Sequence, residues 1–267
     1  MRPWRLAELT YAEVKQRGYE VAVIPLGCTE PHNLHLPYGT DTLEAEIIGD
    51  HICESACDAG AKVVLLPTIP YGTVTNQREC PLSINVNPST LFAFLRDLID
   101  SLEHHGIHKI VLLNSHGGNE LKPLLRELYG ARAAHVFVCN WYECVRDVYG
   151  EIFDELEDHA GEMETSLALA YFPELVAKRD DGSLRADEGA TAQTRFEAVN
   201  RGWVYVPRRW DHLTTNTGAG NPHAASAEKG RRLMKVLVER LSCFLVELSA
   251  AEVDERFPFV EGAQRDE

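Results

Sequence analysis

The sequence has no excess of positive charge: 26 Lys and Arg stand against 41 Asp and Glu, leaving a formal net charge of −15 at pH 7. That balance argues against nucleic acid or an anionic membrane surface as partner, because both would be repelled. No run approaches the roughly 20 apolar residues of a membrane span. The first residues, Met1-Arg-Pro-Trp-Arg-Leu6, lack the apolar core of a secretory signal. A disulfide framework is missing as well. The seven cysteines, Cys28, Cys53, Cys57, Cys80, Cys139, Cys144 and Cys243, are an odd number without regular spacing. They predict reduced thiols and a cytoplasmic location. Cys53 and Cys57 fall one helical turn apart and read as a buried helix face rather than a metal pair. Internal repeats, low-complexity tracts and linkers are also lacking, so the 267 residues are expected to form one domain, 1–267.

What is present is an alternation. Val21-Ala-Val-Ile-Pro-Leu26, Lys62-Val-Val-Leu-Leu66, Lys109-Ile-Val-Leu-Leu113 and His135-Val-Phe-Val-Cys139 read as buried strands. Residues 42–59 carry apolar positions at helical spacing and stop at Gly60. A second helix opens at Pro88 and runs through Leu102, with proline suited to the first turn, and a third is expected over 120–130. His104, His105 and His108 around Gly106 read as the end of the second helix. Strand and helix in this rhythm predict βαβ crossovers and an α/β fold, a three-layer α/β/α sandwich around a mostly parallel sheet. Helices are also predicted over 163–172 and 225–250. Between them, 176–217 is polar and aromatic, with a turn at Arg179-Asp-Asp-Gly-Ser183.

Chemistry-bearing residues gather at the expected strand ends, where ligand sites of parallel sheets sit. After the first strand comes Gly27-Cys-Thr-Glu-Pro-His-Asn-Leu-His-Leu-Pro-Tyr-Gly-Thr-Asp41, with Glu30, His32, His35 and Asp41 as possible ligands. After the third comes Asn114-Ser-His-Gly-Gly-Asn119, and a further cluster is Asp158-His-Ala-Gly-Glu-Met-Glu-Thr-Ser166. In the last, Glu162 and Glu164 fall in the first turn of a helix, where either could simply complement the helix dipole. Imidazoles and carboxylates without thiolate suit Zn²⁺, Mn²⁺ or Fe²⁺. Glu30, His32, Asp41, His116 and one or more of His159, Glu162 and Glu164 are enough for two metals sharing one carboxylate. Such a pair suits amide hydrolysis: it lowers the pKa of bound water, polarises the carbonyl and stabilises its oxyanion, while a histidine protonates the leaving nitrogen. The loop Tyr71-Gly-Thr-Val-Thr-Asn-Gln-Arg78 either lines a pocket at the same sheet edge or is plain surface. Trp141 is either an aromatic wall or a packing residue. Gly117-Gly118 lacks the spacing and lysine of a phosphate-binding loop.

These motifs resemble the creatininase family, whose first motif reads roughly G-S-T-E-Q-H-G-P-H-L-P-x-x-T-D. Residues 27–41 stand in its place, and Asn114 to Asn119 matches a second motif. His159-Ala-Gly-Glu-Met-Glu-Thr-Ser166 matches a third, H-A-G-x-x-E-T-S. Gly218-Ala-Gly-Asn-Pro222 with Ala225-Ser-Ala-Glu-Lys-Gly-Arg231 is similar to the family's C-terminal element. The resemblance implies an α/β/α sandwich, often assembled as a hexamer, so a homo-oligomer is expected. It implies Glu30 and His116 on one metal, His32 on the other and Asp41 bridging, with Zn²⁺ first and Mn²⁺ or Fe²⁺ as alternatives. It further implies that His159 serves proton transfer, with Asp158 as a neighbouring acid.

Departures shape the expectation. Gly118 stands where creatinine-hydrolysing members carry a metal-binding glutamate, and Glu164 is the expected replacement. Glu155 stands where those members carry a tryptophan over the substrate, which argues against creatinine itself. Pro31, Asn33 and Leu34 replace the usual Gln, Gly and Pro. The expected activity is a dinuclear metal-dependent amidohydrolase that cleaves a non-peptide C–N bond of a small cyclic amide or formamide by attack of metal-bound hydroxide. The alternatives are a relative that clips a short or modified peptide, and a catalytically silent metal-binding subunit.

Overall fold

The computed structural model describes residues 2–259. Met1 and 260–267, the two ends of the expected 1–267 domain, lie outside the described residues. The helices are α1 (Tyr11–Lys15), α2 (Thr40–Asp58), α3 (Pro88–His104), α4 (Lys122–Leu128), α5 (Tyr149–Ile152), α6 (Glu162–Tyr171), α7 (Glu197–Asn200), α8 (Trp210–Leu213) and α9 (Ala227–Ala250). The strands are β1 (Val21–Leu26), β2 (Val63–Leu65), β3 (Lys109–Asn114), β4 (His135–Asn140), β5 (Glu157–His159) and β6 (Ala219–Gly220).

Strands β1 to β4 form one parallel sheet in the order β2-β1-β3-β4. The two central strands are buried along their whole length, which is why they read as continuous apolar runs: both faces of a parallel sheet are covered. Alternation of side chains then sorts the residues into two layers. Val21, Val23, Val63, Leu65, Val111 and Leu113 pack under α2, α6 and α9. On the opposite face, Ile24, Leu26, Ile110 and Leu112 pack under α3 and α4. Each such aliphatic side chain contributes about 1.5–3 kcal/mol relative to exposure. The three-layer α/β/α sandwich follows from this division.

Helix ends obey local chemistry. Gly60, at φ 93°, closes α2: its N–H donates to the Cys57 carbonyl, and the N–H of Ala61 donates to that of Ala56, a Schellman arrangement. Gly106 closes α3 in the same way, with Gly106 N–H on Glu103 and Ile107 N–H on Leu102. The expected histidine cluster therefore marks a helix end sealed by backbone. The expected turn is also found, with the Arg179 N–H donating to the Ser183 carbonyl. Strands β5 and β6 form a small antiparallel ribbon that the sequence did not announce.

Strand order places the site. The chain leaves β1 for α2 on one face and leaves β3 for α4 on the other, and the carboxyl ends of these strands, Leu26 and Asn114, are register partners. Divergence of the chain from two adjacent strands opens a crevice, the usual ligand position in open α/β sheets.

Candidate metal centre

Five segments meet above that crevice. Glu30 and His32 come from the loop after β1, Asp41 from the first turn of α2, His116 from the loop after β3, His159 from the end of β5 and Glu164 from the first turn of α6. Glu30, His32, Asp41, His116 and His159 are all buried. Asp41 divides its two oxygens between two imidazoles: Oδ1 lies 3.1 Å from His32 Nε2, and Oδ2 lies 3.1 Å from His116 Nδ1. Glu30 Oε1 lies 3.2 Å from His116 Nδ1 and 3.6 Å from His159 Nδ1. Donor atoms of Cys28, Glu30, Asp41 and His116 converge within 4.8 Å of one another, as do those of His32, Asp41 and Glu164, and of Glu30, His32 and His159. The first two groups share Asp41.

The histidines are oriented from behind. His32 Nδ1 lies 3.0 Å from the Glu30 carbonyl, His116 Nε2 lies 2.9 Å from the Thr73 carbonyl, and His159 Nε2 lies 2.9 Å from the Pro31 carbonyl. Each remote nitrogen donates to backbone, so each inward nitrogen can present a lone pair, the usual arrangement of metal-ligating histidine. Electrostatics show how the cluster balances its charge. Burial opposes the charged form of Asp41, yet His32 and His116 hold it well below the usual carboxylate range. Burial likewise opposes charge on His32, but Asp41 raises it to about 9. Burial pushes Glu164 up against the pull of His32 and His159, and it pushes fully buried Glu44 well up, helped by Glu164 and Asp41. So many buried carboxylates facing one another need positive charge. Divalent cations bound by nitrogen and oxygen donors would supply it.

Two expected ligands resolve differently. His35 faces away, with Nε2 2.7 Å from Thr165 Oγ1, and burial lowers its pKa to about 4, so it is a neutral core histidine. Glu162 is also turned away: it accepts the backbone N–H groups of Asp154 and Glu155 and pairs with Lys229 of α9. Capping of α6 falls to Glu157, which accepts from Met163 N–H at 2.6 Å and Glu164 N–H at 3.2 Å. Glu164 accepts the Ala160 N–H on Oε2 at 2.5 Å and faces His32 and Asp41. Asp158 stands at the rim, its carboxylate 2.7 Å from Arg208.

The departures from the family pattern have local causes. A Cβ at Gly118 would lie 2.3 Å from the Thr73 carbonyl oxygen and 2.4 Å from His116 Nε2. The backbone that orients His116 therefore fills the space a glutamate would use. Asn33 has φ 53°, the left-handed region where the family's glycine is at ease and asparagine is tolerated.

Sequence reasoning missed several neighbours. Gln77 is buried, and its Nε2 donates to Glu30 Oε2 at 2.8 Å while its Oε1 has no partner. The loop 71–78 is thus pocket wall rather than plain surface. Trp210 is buried edge-on to His159, ring centroids 4.8 Å apart, with the Arg208 guanidinium 5.7 Å from its ring. A tryptophan does cover the site, but it arrives from the aromatic segment 203–210 rather than from position 155. Trp141 both packs in the core and lines the pocket, donating Nε1–H to Ser115 Oγ at 2.8 Å. Cys28 lies 2.9 Å from Asp41 Oδ2, and burial raises its thiol well above the usual range, so it is a neutral donor. The cavity over the cluster holds about 960 Å³.

Comparison with known proteins gives the family. The creatininase family model, described as creatinine amidohydrolase, matches residues 7–245. A crystal structure from Bacteroides fragilis NCTC 9343, provisionally named a creatinine amidohydrolase, superposes with TM-score 0.84 at 34% identity, covering 96% of this chain and 100% of that one. Creatinine amidohydrolase of Pseudomonas putida is 30% identical over 194 residues, 64% of this chain and 73% of that protein. Mycofactocin precursor peptide peptidase of Mycobacterium ulcerans is 28% identical over 225 residues, 81% of each chain. With a family match over nearly its whole length, the chain belongs to the creatininase family of metal-dependent hydrolases acting on C–N bonds.

Proposed function

We propose that the chain is a dinuclear metal-dependent amidohydrolase acting on a non-peptide C–N bond of a cyclic amide or formamide. The observation that carries this reading is the division of Asp41 between His32 and His116, at 3.1 Å each. Glu30, Asp41 and His116 would hold one cation, and His32, Asp41 and Glu164 the other, with Zn²⁺ first and Mn²⁺ or Fe²⁺ as alternatives. When bound, two such ions polarise an amide carbonyl and make hydroxide available at neutral pH. The chain's own residues do the rest. His159, fixed through Nε2 on the Pro31 carbonyl and with Nδ1 3.6 Å from Glu30 Oε1, would take up a proton on Nδ1 and pass it to the departing nitrogen. Gln77 holds Glu30 in place. Trp210 and its neighbours shield the centre from bulk water, and Asp158 acts at the rim by holding Arg208.

Cavity size bears on the substrate. About 960 Å³ lies at the upper end of the roughly 300–1,000 Å³ that holds drug-sized ligands. A small cyclic amide or formamide would fit with room to spare. A cavity this large also favours a second reading, a clipped short or modified peptide, in line with the name of the Mycobacterium ulcerans relative. The reading extends to a homo-oligomer, for which exposed Trp203, Val204, Tyr205 and Val206 offer apolar contact surface, with a hexamer as the expected form. A cytoplasmic location is supported by seven free thiols. Among the described residues no helix is long and apolar enough to cross a membrane.

The test is metal content of the purified protein, followed by amine release from formamides, lactams and short peptides with and without chelator. Two equivalents of metal and chelator-sensitive release from the amides are expected. Release from peptides alone would favour the second reading. Two metals with no turnover would make the chain a silent binding subunit.

A further inference from the structure

Cys139 and Cys144 are separated by four residues, Asn140-Trp-Tyr-Glu143. Strand β4 ends at Asn140, and a 3-10 turn over Trp141–Val145 folds the chain back on itself. The fold-back sets the two sulfurs 3.7 Å apart, both part-buried. A disulfide needs them at roughly 2.0 Å, so oxidation would draw together sulfurs that already stand 3.7 Å apart.

The surroundings differentiate the two thiols. Arg240 of α9 donates Nη1–H to the Cys144 carbonyl at 2.6 Å and pairs with Asp147. The contact between the sulfurs, in which either thiol can donate, and then the Arg240 charge lower the Cys144 thiol against burial, while the same contact and burial push Cys139 up. A thiol with lowered pKa beside a resolving partner is the common form of an oxidant-sensing pair.

We propose that Cys139 and Cys144 are a modification site, a dithiol that a hydroperoxide oxidises reversibly to an intramolecular disulfide. In the first step the Cys144 thiolate attacks one peroxide oxygen. The O–O bond breaks, Cys144 becomes a sulfenic acid, and hydroxide leaves and takes up the proton that Cys144 released. In the second step the Cys139 thiol attacks the Cys144 sulfur. The S–O bond breaks, the S–S bond forms, and water departs with the Cys139 proton. The two sulfurs together lose two electrons, and hydrogen peroxide is reduced to two waters. The bond draws together the ends of the stretch carrying Trp141 and Tyr142, both in the pocket wall. Trp141 continues through Ser115 Oγ to Glu44 Oε2, so the modification adjoins the candidate centre. The proposal does not depend on what the substrate is.

The chain itself simplifies the test. Residues 133–146 follow Arg132 and end at Arg146 with no internal Lys or Arg, so trypsin delivers both cysteines in one peptide. Full-length metal-loaded protein carrying Cys243→Ser, which removes the exposed thiol, is treated with hydrogen peroxide, alkylated and digested. The peptide should appear two hydrogens lighter and unlabelled, and dithiothreitol should restore a double label. In Cys139→Ser, Cys144 should stop as a sulfenic acid trapped by dimedone. Oxidised and reduced protein should also differ in tryptophan emission, a difference lost in Cys144→Ser. Full alkylation of both cysteines after peroxide, or sulfinic acid at Cys144 with Cys139 present, would overturn the proposal. Unchanged emission on oxidation would remove the link to the pocket wall.

Discussion

At the scale of single residues, position 41 matters most. Asp41 is the one carboxylate placed between both histidines of the paired groups, so Asp41→Asn should reduce metal content below one equivalent per chain and activity by ~100-fold or more. Glu164→Gln should remove one equivalent and leave the other. Elemental analysis of purified variants checks both, and full metal retention in Glu164→Gln would return the second site to an unidentified ligand. His35 has a different consequence. Its pKa is about 4 in the fold because it is buried and about 6.5 when unfolded. Between those values the unfolded chain binds the extra proton, so the stability contributed by neutral His35 is present above pH 6.5 and fades as pH falls toward 4. At pH 5 the loss is on the order of 2 kcal/mol. Denaturant midpoints of metal-free protein at pH 7.5 and pH 5 should therefore differ more in wild type than in His35→Gln. The cluster was legible in the sequence because Glu30, His32 and Asp41 fall in one short stretch. Gln77 was not, since its partner Glu30 lies 47 residues away and a glutamine in a polar loop carries no signal of its own.

At the scale of elements, the site depends on where α6 lies, and α9 sets that. Gly230 of α9 packs on the Ser166 carbonyl of α6 so closely that a Cβ there would lie 2.0 Å from the oxygen. The adjacent Lys229 pairs with Glu162 at the start of α6. The C-terminal motif is therefore a docking device that delivers Glu164 and the preceding His159 to the crevice. Gly230→Ala should cost about 1–3 kcal/mol by overpacking, seen as a fall in Tm of several degrees. It should also weaken metal binding at the group containing Glu164 more than at the group containing Glu30. Equal loss at both would mean that α6 does not move as a unit. Helices of this kind were legible because amphipathic spacing survives packing, and the observed α2, α3 and α9 begin and end within a few residues of the expected limits. The ribbon of β5 and β6 was not, because strands of three and two residues carry no periodicity and are stabilised by the neighbours they bridge.

At the scale of the whole molecule, the order β2-β1-β3-β4 explains why candidate ligands distant in sequence converge. Apolar runs made the strands legible, and motif order made the site legible. Their arrangement in space was not, because four parallel strands can be ordered in several ways, and only contacts between layers select one. The same arrangement concentrates Glu30, Asp41, Glu44 and Glu164 in one buried region. Without cations these carboxylates are balanced by protons on His32 and His116 and by their own protonation, which bound metal ions would replace. Metal binding should therefore couple to global stability rather than to the pocket alone. A ligand that binds only the folded state stabilises it by about 4 kcal/mol when free metal is 1,000 times Kd. For a chain of this size that corresponds to roughly 8–16 °C in Tm at the usual 2–4 °C per kcal/mol. Calorimetry of chelated and zinc-loaded protein should show a shift of that order, and Asp41→Asn should abolish it. A large zinc-dependent shift surviving in Asp41→Asn would place the stabilising cation elsewhere, and the proposal of two ions bridged by Asp41 would fail with it.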